Sequence, residues 1–164
     1  MGYALAEAAL NAGARTTLIS GPVHCEAAPG VEVVQVETTE EMLEASIAAG
    51  DGADIFIGAA AVVDFKPETV ATQKIKRAGS ETMELKLVSN PDIIATIANS
   101  DARPKLVVGF AAETNDVTAY ARDKLRRKNL DFIFANDVSD EAIGFNSDSN
   151  AGTLISAGNE MAMA

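Results

Sequence analysis

Apolar and polar positions along the chain follow two different periods, which together predict a sheet covered by helices. Apolar, β-branched runs are typical of strands, and apolar residues spaced three or four apart are typical of amphipathic helices. The predicted helices cover 3–12, 40–49 and 117–128, with a further one starting near Asn90. The predicted strands cover 16–20, 31–36, 53–63, 82–88, 106–111, 132–135 and 153–156. This alternation favours an α/β fold, with a mainly parallel sheet and helices on both faces.

Two helix starts carry recognisable capping residues. Thr38 or Thr39 is predicted to cap the helix over 40–49. Asn90 is predicted to cap a helix that has Pro91 at its first position and Asp92 in its first turn. The free N–H groups of such a start suit an anion, although the same residues also make an ordinary cap.

The two ends of the chain do not match a complete doubly wound domain. The helix at residue 3 has no strand before it, and the chain stops soon after the strand over 153–156. In a doubly wound fold the first element is normally a central strand. We therefore expect residues 1–164 to form a single domain that lacks its first strand and its C-terminal elements. A fold that simply begins with a helix is the alternative.

Composition narrows the class of protein. A chain of 164 residues with 48% hydrophobic residues is long enough to bury a core. The apolar run over 55–63 is too short to span a bilayer, and no signal peptide is recognisable. The single cysteine, Cys25, excludes an internal disulfide and fits a cytoplasmic location. The single histidine, His24, has no partner at ligand spacing, so no metal site built from His and Cys is expected.

Positive charge is concentrated in the middle of the chain. Twelve of the thirteen Lys and Arg residues lie between Lys66 and Lys128, although the whole chain carries a net charge of −11. Such a cluster either solvates helix faces or holds an anion. The acidic balance of the chain argues against a nucleic-acid surface, because binding to a phosphate backbone relies on cationic patches. A local pocket for one small polyphosphate remains compatible with it.

Candidate chemistry follows the strands, because ligands of open α/β sheets bind beyond the carboxyl ends of the strands. Small residues precede Asp64, whose carboxylate suits a hydroxyl, an amine or a metal; the alternative is close packing beneath a helix. Phe110 follows Gly109 and could stack on a base or belong to the core. Two groups of cations lie elsewhere in the same part of the chain. They either hold phosphates or are ordinary surface charges. They are Lys74, Lys76 and Arg77 in a predicted loop over 69–80, and Lys124 and Lys128 on one helix face.

Taken in order, eight short motifs resemble those of the phosphopantothenoylcysteine synthetase family. The resemblance is to the synthetase domain of the bacterial bifunctional decarboxylase/synthetase of coenzyme A biosynthesis. The motifs are Ser-Gly-Pro at 20–22, Gly-Ala-Ala-Ala-Val-Val-Asp-Phe at 58–65, Lys-Ile-Lys at 74–76, Asn-Pro-Asp-Ile at 90–93, Val-Gly-Phe-Ala-Ala-Glu-Thr at 108–114, Lys-Asn-Leu-Asp at 128–131, Ala-Asn-Asp-Val at 135–138 and Gly-Phe-Asn-Ser-Asp at 144–148.

The resemblance implies a Rossmann-like, dimeric, cytoplasmic acid–amino-acid ligase. Such an enzyme uses CTP and Mg²⁺ to activate 4′-phosphopantothenate as an acyl-cytidylate, releases pyrophosphate and joins the acyl group to L-cysteine. The domain is normally fused to a flavin-dependent decarboxylase, so no FMN is expected here. Neither a nucleic acid nor a membrane is an expected partner.

The resemblance also implies a set of site residues. Lys74 would be catalytic, stabilising charge at the reacting centre, and Ala60 and Ala61 would line the substrate. The nucleotide site would comprise Asp64, Lys74, Pro91, Asp92, Ile93, Ile94, Phe110, Lys124 and Lys128. No metal ligand is assigned.

The chain departs from the family at its start, where no residue matches the family's catalytic Asn loop. We therefore expect the isolated chain to be inactive. Two alternatives remain. An NAD(P)-dependent Rossmann-type oxidoreductase would need a Tyr–Lys proton relay, for which Tyr3 and Tyr120 are the only tyrosines, and a glycine-rich first turn, but no GxGxxG motif occurs in the sequence. A non-catalytic fragment would need a partner to fold.

Overall fold

The computed structural model describes residues 1–77, 81–113, 117–137 and 151–163. Within these ranges the helices are α1 (Gly2–Asn11), α2 (Thr39–Gly50), α3 (Ile93–Ala98) and α4 (Val117–Arg127). The strands are β1 (Thr17–Ser20), β2 (Glu32–Gln35), β3 (Ile55–Gly58), β4 (Phe65–Pro67), β5 (Leu87–Ser89), β6 (Leu106–Glu113), β7 (Phe132–Asp137), β8 (Gly152–Ile155) and β9 (Glu160–Met163).

The main sheet has the strand order β3-β6-β7-β8-β9. Strands β3, β6 and β7 are parallel, and the register places Gly58 opposite Gly109. Strands β8 and β9 continue the sheet as an antiparallel hairpin. The mixed α/β fold with a mainly parallel central sheet is therefore confirmed.

Two smaller ladders accompany the main sheet. β1 and β2 form a parallel pair, and β4 and β5 form an antiparallel ribbon. Within the described ranges, β1 and β2 share no ladder with β3. The predicted single sheet is thus divided in this part of the chain.

The core lies between one face of the main sheet and the helices α3 and α4. Val107, Ala111 and Ile133 point to this face and are almost fully buried against Ala98 and Leu125 from the helices. On the opposite face, neighbouring apolar side chains remain exposed in the described chain. They include Ile55, Ile57, Leu106, Met161 and Met163.

The helices α1 and α2 cover opposite faces of the β1–β2 pair. Tyr3 of α1 lies beside Val33, whereas Ala45 of α2 lies beside Val34, the next residue along β2. Tyr3 also fixes α1 to the end of β1, because its hydroxyl is 2.8 Å from Oγ of Ser20.

The predicted cap of α2 is confirmed. Oγ1 of Thr38 accepts a hydrogen bond from the backbone N–H of Glu41 at 3.2 Å, and the Glu41 carboxylate accepts one from the N–H of Thr38 at 3.1 Å. This reciprocal pair is a capping box. The pKa of Glu41 is lowered, first by the backbone hydrogen bond from Glu37 and then by that from Thr38.

The predicted cap of α3 is wrong. The helix begins at Ile93, and Asp92 is its N-cap, with Oδ1 accepting from the N–H of Ala95 at 3.1 Å. The Asn90 side chain donates instead to the carbonyl of Val63, at 2.9 Å. The Asn90 side chain, which the local sequence predicted as the helix cap, is therefore engaged by Val63 from a distant part of the chain.

Several predicted strand bounds also differ. The strand predicted over 53–63 stops at Gly58, and the one predicted over 82–88 is reduced to β5. The chain leaves the main sheet after Gly58 to form the β4–β5 ribbon, which accounts for both differences. Neither β4 nor the final strand β9 was predicted.

Candidate functional site

The start of α3 lies directly on the carboxyl half of the main sheet, because two glycines leave room for Ile94. A Cβ atom on Gly58 would lie 2.8 Å from Cδ1 of Ile94, and one on Gly109 would lie 3.3 Å from the same atom. The distance at Gly58 is shorter than real Cβ atoms show, so a side chain there would force Ile94 to shift. The close approach predicted at Gly109 is therefore made by Ile94 and by Leu130, whose Cδ1 would be 2.8 Å away.

Asp92 and Lys128 meet at this end of the sheet. Nζ of Lys128 is 2.7 Å from Oδ2 of Asp92, and the lysine side chain is only 17% exposed. Partial burial of Asp92 by itself favours a higher pKa for its carboxyl group. The hydrogen bonds from Lys128 and Ala95 and the nearby charges of Lys128 and Arg127 outweigh burial, so the pKa lies below its ordinary value. Asp92 thus links the start of α3 to the residue that follows α4.

Lys124 lies one helical turn before Lys128 and reaches the backbone of Phe110 within β6. The backbone N–H of Lys128 donates to the carbonyl of Lys124 at 3.0 Å, which keeps the two lysines in consecutive turns. Nζ of Lys124 donates to the carbonyl of Phe110 at 3.3 Å. The structure therefore brings together four of the predicted positions, because Lys124 also contacts the backbone of Phe110.

The ring of Phe110 points away from these cations. Alternation along β6 places its side chain on the face opposite Gly109, which contacts Ile94 and Leu130. There it packs against Phe134, with ring centroids 5.4 Å apart and planes inclined by 50°. A ligand that touches both the lysines and this ring would have to cross the strand ends.

The β4–β5 ribbon ties Asp64 to the start of α3. The backbone N–H of Asn90 donates to the carbonyl of Asp64 at 2.8 Å, which extends the ladder by one pair toward the sheet. At its far end the ladder is extended by Glu68, whose N–H donates to Lys86, and whose carboxylate pairs with the Lys86 ammonium at 2.6 Å. The segment between Glu68 and Lys86 therefore leaves the ribbon and returns to it at this pair.

That segment carries Lys74. Its residues 69–77 are exposed and form neither helix nor strand. Residues 78–80 of the predicted cationic loop lie outside the described part of the chain. Lys74, Lys76 and Arg77 therefore lie on an exposed segment that starts and ends at the Glu68–Lys86 pair, at the end of the ribbon opposite Asp64.

The remaining predicted positions divide into exposed and buried ones. Ala60 and Ala61 are exposed between β3 and Asp64. Pro91 is half-buried, whereas the side chain of Ile93 belongs to the core and leaves only its backbone for a ligand. The motif at 144–148 and residues 114 and 138 lie outside the described ranges.

Sequence reasoning missed two contacts at this edge. Lys66 on β4 forms an ion pair with Glu40 at the start of α2. Asn90 joins the ribbon to the segment leading into α3, and a signal for it existed in the adjacent Asn-Pro-Asp motif. The first contact joins the ribbon to α2, and the second joins the two segments that flank the ribbon.

Two clefts in the described structure lie beside β2, away from the predicted site residues. One of about 420 Å³ borders the α1 face of β2, and one of about 450 Å³ borders its α2 face. Neither contains a predicted site residue.

The described residues contain neither a dense metal cluster nor a spanning helix. In these ranges no group of three or more His, Cys, Asp or Glu residues could hold a metal ion. Among the described helices, none is long and apolar enough to cross a bilayer.

Solved structures with the same architecture are known. The C-terminal domain of the coenzyme A biosynthesis bifunctional protein CoaBC matches with a TM-score of 0.79 and 35% identity, over 99% of this chain and 71% of that one. A Cab2 mutant in complex with phosphopantothenate-cysteine matches with a TM-score of 0.61 over 82% of this chain and 47% of that one. Because the second identity is only 17%, that match shows the fold alone.

Curated sequences also match the chain from end to end. The coenzyme A biosynthesis bifunctional protein CoaBC of Vibrio parahaemolyticus is 52% identical over 166 residues, which is 100% of this chain and 41% of that protein. The chain thus spans about two fifths of the length of the curated relatives it matches first. A family profile matches residues 1–164. The chain belongs to the family described as the DNA/pantothenate metabolism flavoprotein C-terminal domain.

Proposed function

We propose that this chain supplies the synthetase part of a phosphopantothenate–cysteine ligase that uses CTP. In the proposed reaction the carboxylate of 4′-phosphopantothenate attacks the α-phosphorus of CTP, releasing pyrophosphate and forming an acyl-cytidylate. The amine of L-cysteine then attacks the acyl carbon and releases CMP. The observation that carries the proposal is that α3 and α4 bring Asp92, Lys124 and Lys128 together on one face of the main sheet in a member of this family.

The electrostatics of this edge suit such a reaction. Attack of a carboxylate on a phosphate brings two anions together, so nearby cations lower the barrier. Lys124 and Lys128 lie in consecutive turns, a spacing that suits adjacent phosphates. Lys128 is held by Asp92 when no ligand is bound, and a triphosphate would compete for that ammonium.

The other residues take complementary roles in the proposal. Lys74 stands on a segment anchored at Glu68 and Lys86, from which it can reach charge that develops at the reacting centre. The small residues Ala60 and Ala61 allow a ligand to approach the backbone. The carboxylate of Asp64 would accept hydrogen bonds from ligand hydroxyls or an amine.

Mg²⁺ fits this arrangement as a companion of the nucleotide. Magnesium is usually held by one or two carboxylates together with substrate phosphates. The exposed carboxylate of Asp64 could serve in this way, whereas Asp92 is held by Lys128. The bound ion would neutralise part of the phosphate charge.

The proposal extends to the whole protein. It includes a homodimer, a cytoplasmic location, and fusion to a flavin-dependent decarboxylase domain that binds FMN elsewhere. It also includes inactivity of the isolated chain, because no residue here matches the family's catalytic Asn loop. The name of the Vibrio relative, a bifunctional protein of coenzyme A biosynthesis, supports the fusion.

A chimaera tests this function directly. Residues 1–164 would replace the matching segment of the Vibrio parahaemolyticus relative, and pyrophosphate release would be measured. We expect release only when CTP, phosphopantothenate and cysteine are all present, and a loss of about 10²-fold or more for Lys74→Ala. Lys105→Ala is the matched control, because Lys105 precedes β6 and pairs with Asp54 far from the strand ends. Absence of release in the chimaera, or full activity of Lys74→Ala, would refute the proposal.

A further inference from the structure

Asn90 holds two consecutive carbonyl groups. Its backbone N–H donates to Asp64 at 2.8 Å, and its Nδ2 donates to Val63 at 2.9 Å. The first bond belongs to the β4–β5 ladder and does not depend on the side chain. The second is an added bond that fixes the peptide unit between Val63 and Asp64 from one side.

The remaining polar atom of Asn90 has no partner. Oδ1 is enclosed, and among the described residues nothing donates to it. An enclosed acceptor without a donor costs free energy, and this cost offsets what the Nδ2 bond contributes. An apolar side chain would avoid the cost, so stability alone gives little reason for an asparagine here.

The position of Asn90 supplies a different reason. Asp92, two residues later, pairs with Lys128 at 2.7 Å. The two hydrogen bonds of Asn90, the backbone from Asn90 to Asp92 and the Asp92–Lys128 pair therefore connect Val63 and Asp64 to the residue that follows α4. The geometry points to Asn90 as a positioning residue for the proposed ligase reaction, one that sets the backbone of Asp64 relative to the Asp92–Lys128 pair. This inference rests on the proposed function.

Two variants in the chimaera separate positioning from stability. In Asn90→Ala the backbone bond to Asp64 remains and the bond to Val63 is lost. In Asn90→Asp a carboxylate oxygen replaces the donor and faces the Val63 carbonyl, so the isosteric change does not rescue. We expect both variants to raise the KM for CTP about tenfold, with the Tm of Asn90→Ala close to that of the parent and the Tm of Asn90→Asp lower, because its carboxylate has no donor.

Asn99→Ala is the matched control. The Asn99 side chain also donates to a backbone carbonyl on α3, that of Ala95 at 2.7 Å, but it lies at the C-terminal end of the helix. Its removal is expected to leave the KM for CTP unchanged. If Asn90→Ala does not fold, the isosteric Asn90→Asp variant carries the test.

A double-mutant cycle shows whether Asn90 acts through Asp64. We expect Asn90→Ala to add less than twofold to the KM of an Asp64→Ala chimaera. Additive effects, a wild-type KM in Asn90→Asp, or a lowered Tm with unchanged KM would each overturn the inference. A parent chimaera that makes no product contradicts the proposed function, and the inference falls with it. An active parent with Asn90 variants that behave as it does contradicts the inference alone.

Discussion

Nζ of Lys128 lies 2.7 Å from Oδ2 of Asp92, so one carboxylate both caps α3 and holds the cation that follows α4. Packing of the two helices on one face of the sheet creates this pair. A ligand phosphate that binds Lys128 must therefore replace or share an existing partner.

The pair makes stability depend on pH. The pKa of Asp92 is lower in the folded chain than in the unfolded one. A lowered carboxyl pKa contributes stability above the unfolded value of about 3.9, and this contribution is lost as pH falls through the folded value. We expect the Tm difference between the wild type and Asp92→Asn to be greatest near neutrality and to shrink in acid. Thermal unfolding from pH 7 downward measures it, and a difference that stays constant into strong acid would contradict the assignment.

The same pair predicts opposite effects of two substitutions on nucleotide affinity. Lys128→Ala removes a cation and should raise the Kd for CTP about tenfold, whereas Asp92→Asn releases that cation and should lower the Kd. Both effects should weaken at high salt, because salt screens the attraction between the phosphates of CTP in solution and the charges of the protein. Titration calorimetry of the chimaera at two salt concentrations measures them. Equal affinities of the two variants at low salt would show that Lys128 does not face the nucleotide.

The contact between α3 and the sheet can be tested by adding one methyl group. Gly58→Ala would place Cβ 2.8 Å from Cδ1 of Ile94, so we expect a loss of about 1–3 kcal/mol in the free energy of unfolding. Gly158→Ala is the control, because no atom lies within 4 Å of a Cβ there. Ile94→Val removes the clashing methyl and should restore part of the loss in the double variant. Chemical denaturation of the wild type and these variants measures the free energy of unfolding. An unchanged value in Gly58→Ala would show that α3 lies further from the sheet.

Elements that depend on local signals could be predicted from sequence. The cap of α2 needs only a threonine directly before the helix, and Thr38 was one of the two residues predicted for it. The amphipathic pattern of α4 placed its start at Val117, as observed. The start of α3 was misplaced because the Asn90 side chain is taken by Val63, 27 residues away in sequence.

The site itself depends on contacts between distant segments. Asp92 and Lys128 were both candidates, but their pairing follows from how α3 and α4 pack, which no local pattern encodes. The side of the sheet on which the Phe110 ring lies follows from the register of β6 and β7. Sequence thus named residues at this edge, and the fold determined which of them are neighbours.

The ribbon formed by β4 and β5 has a consequence for the length of the segment that carries Lys74. Glu68 and Lys86 are already joined by a backbone hydrogen bond and an ion pair, so the ends of this segment stay together whatever lies between them. Doubling the length of a closed loop costs only about 0.6 kcal/mol. Insertions or deletions there should leave the strand ends undisturbed, so the reach of the lysine can be tuned independently of the rest of the fold.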